Sequence, residues 1–264
     1  MKYFLILFLL TYQVSGQKGE RIERVITYEL TWVKDTRHPH RTLKEYFALT
    51  LGKKGNSCFE SYLYSIEDSV QLAQMREIET SKSIDMRNYP AKSDFKYRVF
   101  KSGGEVHAEE NLGNAKYVYP SVFDSENWEI SGQQDTVCGF WSQLATTHYN
   151  GREFEAWFTM DIPVPEGPYV FSGLPGLIVH LNDTDNHYVF KLSEISKGEG
   201  NKVLRQPDKK AQVSTFEKVS ERKKRERNAS WPADAPPESF YTPQQAEKIK
   251  EVRRQNNNPL ERNQ

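Results

Sequence analysis

The sequence predicts a mainly β protein, an antiparallel meander forming a strongly bent sheet or half-barrel with one or two short helices. Apolar residues alternate at period two along much of the N-terminal half, the pattern of half-buried strands. The reversals between these runs carry hairpin chemistry, above all Asn150-Gly151, where both residues must take positive φ. Three prolines in Pro163-Val164-Pro165-Glu166-Gly167-Pro168 then force the chain out of any central ladder.

At the start, Met1-Lys2, the apolar run Tyr3–Leu10 and the small residues of Val14-Ser15-Gly16 read as a secretory signal peptide over residues 1–16. The apolar run is far shorter than the roughly 20 residues that cross a bilayer. No second long apolar run follows, so the expectation is a periplasmic or secreted chain with no transmembrane segment after cleavage at Gly16. Ile22, Ile26, Tyr28, Leu30 and Trp32 share one parity and make the first strand. Leu43–Leu51 and Ser57–Tyr64 follow, joined by Gly52-Lys53-Lys54-Gly55-Asn56. Glu67–Arg76 is the one early segment with a loosely helical grouping. Phe95–Phe100 and Glu105–Glu110 flank Ser102-Gly103-Gly104 as a hairpin.

Folding at Asn150-Gly151 pairs Tyr149 with Arg152, Thr147 with Phe154, Ala145 with Ala156 and Gln143 with Phe158. The returning strand then carries Phe154, Ala156, Phe158, Met160 and Ile162 on one face, and a one-residue slip would expose them all. Leu174-Pro175-Gly176-Leu177 fits a type II turn. Leu177–Leu181 and Tyr188–Ile195 are strands around Asn182–Asn186. Thr242-Pro243-Gln244-Gln245 matches a capping box and starts a helix through about Arg254. The domain plan is one β-rich domain over residues 17–196 and 240–264, with 197–239 as a charged insertion whose composition suits mobility.

The 264 residues hold 36 Lys+Arg and 36 Asp+Glu, a balance that argues against a strongly basic nucleic-acid binder. Mean hydropathy of −0.76 excludes a bundle of membrane helices. With 14 Phe, 14 Tyr and 5 Trp, the chain has ample rings for a core and is no disordered tail.

Gly173-Leu174-Pro175-Gly176-Leu177-Ile178 is the six-letter signature of the GLPGLI family of exported Bacteroidota-type bacterial proteins, and the stretch Trp128–Ile195 resembles that family. Gly151-Arg152, Ala156-Trp157-Phe158-Thr159, Asp161-Ile162-Pro163 and Gly167-Pro168-Tyr169 agree with it, as does the tail Asn258-Pro259-Leu260-Glu261. Where members often carry a Cys before the GR turn, this chain has Ser142, and Cys138 lies four residues earlier. The resemblance implies an exported β-rich protein and implies no reaction.

Four sets of side chains bear on function. His180, Asp183, Asp185 and His187 surround one tight loop and could ligate a divalent ion. A four-residue loop, Asp183–Asn186, would pair Asn182 with His187 and put both imidazoles on one face; a five-residue loop would separate them. Asp and Asn are also ordinary turn formers. Cys58 and Cys138 are either a disulfide closing a long loop or two separate thiols. The basic tract Lys218–Arg227 could meet an anionic surface, although such runs are usually solvated faces. Trp141, Phe154, Phe158, Met160 and Leu177 could line an apolar pocket on the inside of a curved sheet, or simply form core.

No nucleophile elbow, zinc-protease helix, dinucleotide or phosphate-loop motif occurs, and no cofactor is expected. The expected function is that of a non-catalytic envelope protein binding a lipid or peptide ligand, or an envelope protein partner in outer-membrane transport. The alternative is a metal-dependent enzyme centred on the His180–His187 hairpin. Nucleic acid is not an expected partner.

Overall fold

A computed structural model describes residues 19–70 and 92–260, apart from residues 114, 122, 230, 233 and 234. The expected signal peptide lies outside the described residues. β1 (Ile22–Val33), β2 (Thr42–Gly52), β3 (Ser57–Ser61), β4 (Tyr97–Ser102), β5 (Glu105–Leu112) and β6 (Ala115–Pro120) form the first half of the sheet. β7 (Glu129–Val137), β8 (Phe140–Tyr149), β9 (Arg152–Thr159), β10 (Leu177–Asp183) and β11 (Tyr188–Lys197) form the second, and β12 (Gln212–Val213) is a short addition. All twelve belong to one sheet, ordered β12-β6-β5-β4-β3-β2-β1-β11-β10-β9-β8-β7. Each half is thus a meander of neighbours, and β1 pairing antiparallel with β11 joins the halves. Among the described residues, only the β12–β6 pairing is parallel. The sheet is open, with β12 and β7 at its two ends.

Local chemistry places the reversals. Gly103 and Gly104 have φ of 61° and 85°, and Asn150 and Gly151 have φ of 45° and 78°, the positive pairs that two-residue hairpins require. The β8–β9 register is the expected one, with Tyr149 opposite Arg152, Thr147 opposite Phe154, Ala145 opposite Ala156 and Gln143 opposite Phe158.

The chain differs from expectation at four places. β3 stops at Ser61, because the Ser61 hydroxyl accepts from the Tyr64 N–H at 3.0 Å and caps a helix. That helix, α1, covers residues 62–70; the remainder of the stretch expected to be helical, 71–76, lies outside the described residues. β9 ends at Thr159, so Met160 falls in a turn with 64% of its surface exposed rather than on the apolar face. In the six-letter motif the positive φ belongs to Gly173, at 94°, and not to Gly176, so Leu174–Leu177 is no type II turn. Gly176 answers a different demand: a Cβ there would lie 2.0 Å from the Thr159 carbonyl oxygen, where β10 begins against β9. Finally, the charged stretch 197–239 contains β12 and α2 (Phe216–Asn228), capped by the Thr215 hydroxyl accepting from the Lys218 N–H. With α3 (Pro243–Gln255), which has the expected capping box, the described residues hold three α-helices.

The core lies inside the bend. Tyr97 on β4 stacks edge-on against Tyr169 at 5.0 Å, and Phe154 on β9 packs 4.6 Å from Phe171. β4 and β9 are separated by five strands in the sheet, yet both touch the same short loop. The segment after the prolines therefore fills the concave side, contributing the buried Tyr169, Val170, Phe171 and Leu174. Lys101 ties this plug to β4 through Glu166 at 2.7 Å and the Phe171 carbonyl at 3.1 Å. Nearer the other end of the sheet, α2 covers the same concave side, with Val219 and Phe216 packed on Ala108, Leu112 and Tyr119.

Candidate functional site

Between the plug loop and α2 the concave side keeps a cleft of about 320 Å³. Its walls come from six regions. β1 and β11 supply Trp32 and Tyr188; β4 and β5 supply Tyr97, Glu110 and Leu112; the plug supplies Tyr169. α2 adds Lys223, Glu226 and Arg227, α3 adds Arg253, and the tail adds Asn256, Asn258, Pro259 and Leu260. The aromatic rings are nearly buried. Charges of both signs sit beside them: Lys223 pairs with Glu110 at 3.2 Å, and Asp94 with Lys34 at 2.7 Å. Arg253 donates to the Glu226 carbonyl in the last turn of α2, and its Nε has no hydrogen-bond partner among the described residues. A surface of rings, cations and carboxylates within one hollow suits a molecule with both apolar and polar groups.

The tail wall is held by a buried guanidinium. Arg152 opens β9, is 3% exposed, and pairs with the carboxylate of Asp183 at the end of β10. It also donates to the Asn258 side-chain oxygen and, at 2.7 Å, to the Pro259 carbonyl. Tyr188 lies under it, 5.0 Å from ring centre to guanidinium, and donates its hydroxyl to the Asn258 carbonyl. Asn258 returns a bond to the Val33 carbonyl at 2.6 Å. The Gly151-Arg152 turn, Asp183 and the Asn258-Pro259-Leu260 tail, distant in sequence, are one network. Only a fork of five donors could serve these acceptors together.

The candidate metal residues divide. Ligand atoms of Asp183, Asp185 and His187 lie within 4.8 Å of one another, but His180 is not in that group. β10 and β11 pair Asn182 with Val189, not with His187, and His180 faces Lys191. The reason is Asp183: its carbonyl accepts from the Asn186 N–H and its carboxylate from the Tyr188 N–H, both at 2.8 Å, so the turn closes over Thr184–His187. The same carboxylate neutralises Arg152, leaving it a poor ligand for an ion. Burial, reinforced by the Lys191 charge, pushes the pKa of His180 down to about 4, and its Nε2 is buried without a hydrogen-bond partner among the described residues.

None of Trp141, Phe154, Phe158, Met160 and Leu177 lines the cleft. Phe154, Phe158 and Leu177 are at most 1% exposed, packed against the plug, whereas Trp141 and Met160 are surface residues at the far rim. Cys58 and Cys138 are both free thiols. Cys58 is buried on the outer face beside Phe100 and Leu204, and burial pushes its pKa up. Cys138 sits in the β7–β8 turn at φ 51° and reaches the Val179 carbonyl.

Sequence reading missed a second buried network on the outer face. Arg98, 1% exposed, has Glu60 and Glu109 directly across on β3 and β5 and pairs with them at 2.6 and 3.1 Å. α1 brings Asp68 to 2.8 Å and the Tyr64 ring to 4.3 Å. Burial alone would lower the Arg98 pKa, but the surrounding carboxylates win and hold it above its ordinary value. Arg205, 3.3 Å from Glu60 and 3.1 Å from Asp68, and Lys116, 3.9 Å from Glu109, bring three cations against the three carboxylates, so this is a balanced structural cluster. The sequence shows only three charged residues at outward-looking positions of three strands, which look like ordinary solvated ones.

A family model described as "Protein of unknown function (Porph_ging)" matches residues 58–180, from β3 into β10 and a little under half of the chain. That similarity points to a Bacteroidota-type protein of a family without a known function. No curated protein matches the chain. A solved structure of PNGF-II in the C2 space group superposes with a TM-score of 0.51 at 13% identity, over 76% of this chain and 32% of that one. A second, in the P21 space group, gives 0.49 at 12% identity, over 76% and 33%. The chain therefore spans about a third of the length of these proteins, and the likeness concerns the fold alone.

Proposed function

We propose that the chain is an exported GLPGLI-type envelope protein that binds a peptidic ligand without transforming it, and that the concave cleft beside α2 is where the ligand sits. The observation that carries the reading is the composition of the cleft: the side chains of Trp32, Tyr97, Tyr169 and Tyr188 among the charges of Glu110, Lys223 and Arg253. A lipid tail would prefer a purely apolar wall, and the apolar part of the concave side is already occupied by Tyr169 and Phe171. Peptides present both kinds of group within a few ångströms. Export rests on the Met1–Gly16 pattern and on the Gly173–Ile178 motif. Against the metal-enzyme alternative stands the engagement of Asp183 with Arg152.

Native mass spectrometry of the protein recovered from its own envelope tests the reading. The expected result is a mature chain beginning at Gln17 that retains a peptide mass, with the peptide lost from the cleft-blocking variant Asn256→Trp. A retained divalent ion with no peptide, or a peptide that survives in Asn256→Trp, would overturn it.

A further inference from the structure

The cleft does not end at the tail. It shares Arg227, Asn258 and Pro259 with a second hollow of about 430 Å³. That hollow shares Lys224 and Asn228 with a third, of about 550 Å³, along the last turns of α2. The lining changes along this path. The inner end has rings and both signs of charge, whereas the outer hollows carry Lys224, Arg225 and Arg227, with Glu221 the one acid among their described lining residues.

Resting on the cleft as the ligand site, we infer that the ligand is an extended acidic peptide, anchored by an aromatic residue in the inner cleft and running its carboxylates outward along α2 to Lys224 and Arg225. Complementarity of sign supports this, since α2 carries six basic and three acidic residues although the whole chain is neutral. The competing account is that these cations merely answer the negative end of the α2 dipole. It predicts no preference for an acidic ligand.

Fluorescence anisotropy with the full mature chain and two labelled tetrapeptides, Trp-Gly-Glu-Glu and Trp-Gly-Gln-Gln, separates the accounts. Two partly screened ion pairs should make the acidic peptide bind about tenfold more tightly. The double variant Lys224→Gln/Arg225→Gln, at two exposed positions, should bring the two peptides to equal affinity while its thermal midpoint stays unchanged. Equal affinities in the unaltered protein, or a preference that survives in the double variant, overturn this inference and leave the cleft standing. Binding of neither peptide overturns both.

Discussion

At the scale of single residues, buried charge decides most. Arg152 is the cationic partner of Asp183, and both are nearly inaccessible. Replacing Arg152 by Met leaves an uncompensated buried carboxylate and two unmet tail acceptors, so urea unfolding should show a loss of about 3–5 kcal/mol. Arg152→Lys should fall in the same range, because one ammonium cannot reach the acceptors that the fork spans. His180 adds a pH dependence of defined sign. Its folded pKa of about 4 lies below the ordinary 6.5, so between those values the unfolded chain binds a proton that the folded chain refuses. Stability should therefore fall as pH drops from about 6.5 to about 4, and a His180→Gln variant should lose that part of the fall in urea midpoints measured at pH 7 and pH 4.5. A midpoint profile identical in the variant would show that other groups govern the window.

Elements differ in how openly their sequences announce them. The β8–β9 hairpin is legible because its determinants are local: a positive-φ pair at Asn150-Gly151 and an apolar alternation that tolerates one register. α3 is legible for the same reason, since Thr242, Pro243 and Gln245 act within one turn. Thr242→Ala removes both bonds of the Thr242 hydroxyl and should lower the thermal midpoint by an amount equivalent to about 1 kcal/mol. A stability loss beyond about 3 kcal/mol would mean that the cap also holds the tail in place. α2 is hidden in a charged run because its anchoring surface is only Val219 and Phe216, too few residues to set a helical period. Met160 shows the converse: the alternation continues past Thr159, but the approach of Gly176 to the Thr159 carbonyl ends the strand pairing there.

Across the whole molecule, the bend of the sheet is what brings distant residues together. Fold class was readable because period and turn chemistry are short-range properties. The cleft was not, because its walls run from Trp32 to Leu260 and meet only after the sheet curls around Tyr169 and Phe171. Arg98 and Arg152 escaped for a related reason: each gathers acceptors from several strands, and a lone arginine in a strand looks like any solvated one. The concave side is thus filled from one end by the plug and from the other by α2, with a ligand-sized cleft between them. Amide hydrogen exchange with and without the Trp-Gly-Glu-Glu peptide tests this arrangement most directly. Exchange should slow in α2, in β4 around Tyr97 and in the tail from Asn256 to Leu260, and stay unchanged in the β10–β11 turn. Slowing confined to Asp183–His187 or to the rim around Trp141 and Met160 would contradict the account.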